Sequence, residues 1–124
     1  MSSPTPAPII LFVYRRPDHT RQVLESLQLN PEAVSSELFI YSDGPKDSEA
    51  VASVEAVRML CRSVKGFART VLIERPTNWG LAQSVIAGVT EICESHGKAI
   101  VLEDDMVVSP HFLAYMNKAL DLYK

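Results

Sequence analysis

This sequence has no excess of basic residues and no long apolar run, and each absence excludes a class of function. Its 124 residues carry a formal net charge of -3 at pH 7. A nucleic-acid-binding surface needs clustered basic residues, so we expect no nucleic-acid partner. No apolar run approaches the roughly 20 residues that a membrane helix needs, so no transmembrane segment is predicted. Residues 1–7 lack the basic-then-apolar order of a signal peptide, and we expect a flexible leader there.

Cysteines and the well-defined catalytic motifs are also scarce. The two cysteines, Cys61 and Cys93, lie in apolar helical patterns, which favours reduced thiols in a cytoplasmic protein over a disulfide. The phosphate-binding pattern GxxxxGK[ST] and the dinucleotide-binding pattern GxGxxG are both absent. The three histidines form no pair at metal-ligand spacing, and no serine has the partners of a nucleophile.

The chain does contain a regular alternation of apolar runs and amphipathic segments. Apolar runs predict strands over residues 8–14, 37–44, 69–75 and 98–105. Helical spacing predicts helices over residues 15–30, 47–64 and 81–97, and a last helix with Ser109 as its cap, Pro110 as its first residue and an end near Tyr123. This order predicts one α/β domain over residues 8–124: a three-layer, Rossmann-like parallel sheet of about four strands with helices on both faces.

Polar residues follow the predicted strands at the edge where ligands of parallel sheets bind. They are Arg15 and Arg16 after the first strand, Ser42 to Gly44 after the second, Arg75 with Asn78 to Gly80 after the third, and Glu103 to Asp105 at the end of the fourth. Because the carboxyl ends of parallel strands meet at one edge, these side chains are expected to form one site.

The three consecutive acids are the most unusual feature of that edge. On an extended segment Glu103 and Asp105 face the same way, and Asp104 faces the other. Paired carboxylates suit Mg²⁺ or Mn²⁺, which usually keeps waters and takes further ligands from substrate phosphates. The alternative is a solvated turn whose charge is favoured by the dipole of the following helix. The apolar residues on both sides, AIVL and MVVSP, hold the acids at the edge of the core and favour a ligand site.

Several segments together resemble the nucleotide-sugar-binding half of a GT-A fold glycosyltransferase. The segment IVLEDDMVVSPHFLAYM is similar to VVEDDLEVAPDFFEYF in the N-acetylglucosaminyltransferase I-like group. The ends of the first two strands, LFVYRRPDH and IYSDG, also match that group, and NWGLAQSVIAGV resembles a helix start of family 2 enzymes. The resemblance spans about Pro8 to Tyr123.

The resemblance implies that the chain binds a nucleoside-diphosphate sugar and serves hexosyl or N-acetylhexosaminyl transfer to an unidentified acceptor. Asp43 would hydrogen-bond the base, and Arg16 would line the base or phosphate side. Glu103 and Asp104 would contact the ribose or the sugar. Asp105 would coordinate Mn²⁺ or Mg²⁺, which stabilises the negative charge of the leaving diphosphate.

The chain also departs from the family, which leaves alternatives open. Complete GT-A domains are much longer, and their acceptor-binding part and catalytic base follow the acidic motif. We therefore expect a truncated domain with no assignable catalytic residue and with an exposed sheet edge that could support a homodimer. A non-catalytic nucleotide-binding or assembly module is one alternative. A receiver-like domain is another, although receivers carry acids where this chain has Arg15 and Arg16. Asp43 could also simply shape a turn before Gly44.

Overall fold

The computed structural model describes residues 5–122 of the chain. Its helices and strands are β1 (Ile9–Val13), α1 (Pro17–Gln28), β2 (Glu37–Ser42), α2 (Val51–Arg62), β3 (Arg69–Glu74), α3 (Leu81–His96), β4 (Ile100–Glu103) and α4 (Phe112–Leu122). Short 3-10 turns at Pro31–Ser35 and Ser48–Ala50 lead into β2 and α2. The predicted alternation of strands and helices is confirmed.

The four strands form one parallel sheet in the order β3-β2-β1-β4. Side chains of α1, α2 and α4 share one buried cluster on one face of the sheet, whereas α3 packs on the other face. The predicted three-layer, Rossmann-like fold is therefore confirmed. Because β2 and β4 flank β1 on opposite sides, the chain reverses its direction across the sheet at β1, and such a switch point leaves a crevice at the carboxyl ends of the strands.

The central strand β1 is apolar throughout because both of its faces are covered. All five of its residues are buried. Leu11 faces the α1 and α2 layer, and Phe12 faces α3. The edge strand β4 is less covered, and Val101 is 41% exposed. A continuous apolar run at the centre and a partly exposed strand at the edge are the pattern that the layer arrangement requires.

Helix α3 packs directly on two aromatic rings of the sheet at Gly88, which has no side chain. A Cβ at this position would lie 3.0 Å from the ring of Phe12 and 3.2 Å from the ring of Tyr41. These two rings stack on each other with their centroids 5.5 Å apart. The close approach holds the middle of α3 against β1 and β2.

The segment between β4 and α4 is hydrogen-bonded to α1 and to the turn that follows α1. The buried side chain of Asn30 donates to the carbonyl of Ser109 (3.1 Å) and accepts from the N–H of Leu113 (2.9 Å). The hydroxyl of Ser26 accepts from the N–H of Val108 (3.1 Å). These bonds position the chain that directly follows the three acids.

Some predicted boundaries were wrong. Helix α4 begins at Phe112 rather than at Pro110, because residues 109–111 form a turn in which the N–H of Phe112 bonds to the carbonyl of Ser109. Ser109 still accepts a hydrogen bond, from the N–H of His111 at 3.3 Å. The predicted helix end at Tyr123 lies outside the described residues.

The predicted leader falls only partly within the described residues. Residues 1–4 lie outside them. Ala7 is fully buried, and its N–H donates to the Asn117 side chain at 2.7 Å. The packed structure thus includes Ala7, one residue before the predicted start of the domain.

Replacement of Asn30 by alanine should lower the free energy of unfolding by about 3 kcal/mol, because it leaves buried backbone groups without partners. Urea unfolding followed by circular dichroism measures this change. The matched control is Gln28→Ala, which removes one exposed hydrogen bond at the end of α1, close to Asn30 in the chain. If Asn30→Ala lost no more unfolding free energy than the control, the proposed role of Asn30 in holding this segment would be contradicted.

Candidate functional site

A cavity of about 400 Å³ opens at the switch point, at the carboxyl ends of β1, β2 and β4 and beside the first turn of α3. All five site residues predicted from the sequence lie in its wall: Arg16, Asp43, Glu103, Asp104 and Asp105. This volume is within the range of small-molecule sites, roughly 300–1,000 Å³. The topology thus brings together residues that follow three different strands and lie far apart in the chain.

One part of the wall is basic. Arg15 and Arg16 follow β1, and Lys46 comes from the loop after β2. The N–H of Lys46 donates to the Tyr14 hydroxyl at 2.9 Å, and the Arg15 guanidinium lies 5.7 Å from the centre of the Tyr14 ring. The two loops are therefore joined, and their three cations face the same cavity. Lys46 was not singled out from the sequence, although its position shortly after Asp43 was the available signal.

Another part of the wall is acidic and has the shape of a turn. Strand β4 ends at Glu103 rather than at Asp105, and the N–H of Met106 bonds to the Glu103 carbonyl at 3.1 Å. The prediction that the strand continues through the acids was therefore wrong. Asp104 is half-buried, whereas Asp105 is exposed. The directions of the three acidic side chains are therefore set by the turn and do not alternate as they would along a strand.

Asp104 lies where the acidic and basic walls meet. Burial raises the pKa of its carboxyl above the usual range, and the neighbouring Asp105 adds to this shift. The charges of Arg16 and His19 and a hydrogen bond from the Tyr14 backbone act in the opposite direction. Asp104 is thus held close enough to Arg16 for the two charges to interact.

Asp43 is buried, and its carboxylate organises the loop between β3 and α3. Its Oδ1 accepts from the N–H groups of Gly44 (2.9 Å) and Trp79 (2.8 Å). Its Oδ2 accepts from the N–H of Gly80 (3.0 Å) and from the Asn78 side chain (3.1 Å). A carboxylate offers about four acceptor positions, so these donors occupy them all. This geometry matches the turn-shaping alternative for Asp43.

Gly44 allows two loops to meet beside Asp43. A Cβ on Gly44 would lie 2.5 Å from the backbone carbon and oxygen of Thr77, a distance that no side chain tolerates. The Asn78 side chain also donates to the Gly44 carbonyl at 2.9 Å. Glycine at this position is therefore a steric requirement of the cavity wall.

Arg58 is a structural residue of the site that no sequence pattern marks. It lies on α2, and its side chain is 12% exposed. Its guanidinium donates to the carbonyls of Ser42 (3.3 Å), Asp43 (3.2 Å) and Arg75 (2.6 Å). It therefore binds the ends of β2 and β3 together behind the cavity.

Four residues predicted at the strand ends lie outside the cavity wall, namely Ser42, Gly44, Arg75 and Trp79. The Arg75 guanidinium stacks 3.9 Å from the centre of the Trp79 ring and 5.4 Å from the centre of the Tyr41 ring. Such cation-π contacts stabilise a partly desolvated arginine. Arg75 and Trp79 thus brace the loop that Asp43 holds, whereas Asn78 reaches the cavity wall.

The acidic wall can supply only part of the ligand set of a divalent cation. Among residues 5–122, no group of three or more His, Cys, Asp or Glu side chains is arranged to hold a metal ion. Asp105 lines the cavity, is exposed and makes no hydrogen bond or ion pair within that range. One such carboxylate can bind Mg²⁺ or Mn²⁺ when a bound phosphate and water supply the other oxygens.

Comparison with known proteins finds no matching family model and no matching curated protein. Within residues 5–122, no helix is both long enough and apolar enough to cross a membrane. The function must therefore be inferred from the fold and from the chemistry of the cavity.

Replacement of Asp43 by asparagine should lower the free energy of unfolding by about 3 kcal/mol, because an amide group would face N–H donors that now bond to a carboxylate. Asp105→Asn is the matched control, since Asp105 lines the same cavity without a hydrogen-bond partner among residues 5–122. The stability of this variant should change by less than about 0.5 kcal/mol. Urea unfolding of both variants checks this. Equal stability of the two variants would overturn the organising role of Asp43.

Proposed function

We propose that this chain binds a nucleoside-diphosphate sugar with Mg²⁺ or Mn²⁺ and forms the donor-binding part of a GT-A type glycosyltransferase. The observation that carries the proposal is one cavity with a basic and an acidic wall at the switch point of a parallel sheet. A nucleotide sugar has an anionic diphosphate between two hydroxyl-bearing sugars, so its charge pattern complements both walls. The sequence resemblance supports the same ligand class.

The basic wall would bind the diphosphate. Guanidinium groups form charge-assisted hydrogen bonds with phosphate oxygens, and they can do so with two parallel N–H groups. Arg15 and Arg16 are both exposed, and Lys46 adds a third cation from the opposite loop. We infer that Arg16 is central, because its charge also reaches Asp104.

The acidic wall would bind the sugar side of the ligand. The carboxylates of Glu103 and Asp104 can accept hydrogen bonds from ribose or sugar hydroxyls. Asp105 would hold the divalent cation, which supplies positive charge to the diphosphate as the sugar leaves. The exposure of Asp105 at the cavity leaves its oxygens available for this contact.

The role of Asp43 differs from the one that the resemblance implies. A base N–H could reach its carboxylate only by displacing one of the four donors that already occupy it. We infer that Asp43 supports binding indirectly, because it fixes Gly80 and the first turn of α3 at the cavity. A direct contact with the base remains a prediction.

Further parts of the proposal concern assembly and location. Strand β4 has β1 as its neighbour on one side, and the exposed Val101 lies on this edge strand of the sheet. A second copy could pair there and form a homodimer. Cys61 and Cys93 are both free thiols, which supports a cytoplasmic location.

The parent protein should bind uridine or guanosine diphosphate more tightly in the presence of Mn²⁺ than in its absence. Isothermal titration calorimetry with each nucleotide, with and without Mn²⁺, measures both affinities. Arg16→Ala should weaken binding about tenfold, because it removes charge-assisted hydrogen bonds to phosphate. No binding of either nucleotide by a folded sample would overturn the proposal.

Asp105→Ala should remove most of the gain in affinity that Mn²⁺ provides, because the cation loses its protein ligand. Glu94→Ala is the control, since Glu94 is exposed on α3 outside the cavity wall. The same calorimetric titrations compare the two variants. An unchanged Mn²⁺ effect in Asp105→Ala would refute the metal assignment alone.

Donor hydrolysis separates an enzyme from a non-catalytic module. Release of sugar from the bound donor would show transferase-type chemistry in this chain. Tight binding without turnover would favour a nucleotide-binding or assembly module, or a transferase whose acceptor-binding residues are supplied elsewhere.

A further inference from the structure

Ser84 carries a buried hydroxyl without a partner at the cavity. The residue is 5% exposed, and its Oγ makes no hydrogen bond within residues 5–122. Of the buried, unpartnered side-chain atoms in that range, this is the one whose residue lines the cavity. A buried hydroxyl without a partner costs about 1–3 kcal/mol, so a group that satisfies it gains binding energy.

The N-terminus of α3 adds further donors next to Ser84. Gly80 is the N-cap of this 16-residue helix and provides no side-chain hydrogen bond to the first turn. The N–H of Ser84 bonds to the Gly80 carbonyl at 3.0 Å, which places Ser84 at the end of that turn. The N–H groups before it have no acceptor within the helix, and the helix dipole favours an electron-rich group there. Gly80 and Leu81 both line the cavity.

Aromatic and apolar side chains lie on the Ser84 side of the cavity. Ser84 lies one helical turn before Gly88, on the face of α3 that packs on the rings of Phe12 and Tyr41. Both rings and Leu81 line the cavity, whereas its cations come from the loops after β1 and β2. A phosphate would lose its solvation next to these apolar groups, whereas an uncharged base would lose much less.

We propose that Ser84 is a specificity-determining residue, which donates a hydrogen bond from its hydroxyl to a carbonyl oxygen of the nucleotide base. This inference rests on the proposed function, since it places the base of the same ligand at the start of α3. The Ser84 Oγ is covered in this structure, so the proposed contact requires the hydroxyl to turn into the cavity through another of its three staggered rotamers.

The proposed contact selects between bases together with the N–H groups at the start of α3, because a hydroxyl can also accept a hydrogen bond whereas an N–H group can only donate. Uracil and guanine carry carbonyl oxygens, which accept from the hydroxyl and from the helix N–H groups. Adenine presents an amino group on the corresponding edge, and the helix N–H groups cannot bond to it. The site therefore favours uridine or guanosine diphosphate over adenosine diphosphate.

Calorimetric titration of the parent, Ser84→Ala and Ser95→Ala with the three nucleoside diphosphates tests the inference. Ser95 lies on the same helix, is exposed and is not in the cavity wall, so its variant is the matched control. Ser84→Ala should bind the preferred nucleotide about tenfold more weakly than the parent, a loss equivalent to one hydrogen bond. Its affinity for adenosine diphosphate should not change.

The ligand-free stability of Ser84→Ala separates a binding effect from a folding effect. The variant should unfold in urea at the same or a higher midpoint, because it loses a hydroxyl that has no partner.

Each other outcome has a distinct meaning. A parent that binds uridine or guanosine diphosphate, with Ser84→Ala equal to Ser95→Ala, would overturn this inference and leave the proposed function standing. An equal loss for all three nucleotides would place the hydroxyl at the phosphates or the ribose, and would overturn the base contact. A parent that binds none of them would overturn both proposals.

Discussion

The buried carboxylate of Asp43 is the contact on which the rest of the site depends. It accepts hydrogen bonds from Trp79 and Gly80, and it thereby joins the end of β2 to the first turn of α3. Gly44 makes the junction possible, since any side chain there would collide with the backbone of Thr77. Arg58 joins the end of β2 to the end of β3. The Asp43 carboxylate therefore determines where the end of β2, the loop after β3 and the start of α3 meet.

The order of the strands then determines which charged side chains face each other across the cavity. Because β1 lies between β2 and β4, the arginines that follow β1 stand between the loop of Lys46 and the acidic turn that begins at Glu103. Asp104 shows that the walls are coupled, since burial raises its pKa while Arg16 counteracts the shift. A ligand that carries both anionic and hydroxyl groups would satisfy the two walls together, which is why we favour a nucleotide sugar.

The sequence predicted those features that local patterns encode. The apolar run of β1 and the acids after β4 marked the layers and the edge where the site lies. The start of α4 could not be predicted, because it is decided by Asn30, which bonds to Leu113 across 83 positions. Distance along the chain also hid the full role of Asp43. An aspartate before a glycine suggests a turn, but three of its four donors lie 35 to 37 positions further along the chain. The role of Arg58 was not predicted either, because the residue pattern of α2 does not indicate the strand ends to which Arg58 bonds.

The most direct measurement is a nuclear magnetic resonance titration of the isotope-labelled chain with uridine or guanosine diphosphate in the presence of Mg²⁺. It reports whether the ligand binds and where. The proposal predicts saturable shifts in the backbone amides that surround the cavity, strongest for Tyr14, Gly80 and Asp105. Absence of shifts, or shifts confined to the distant surface between α1 and α2, would contradict the account.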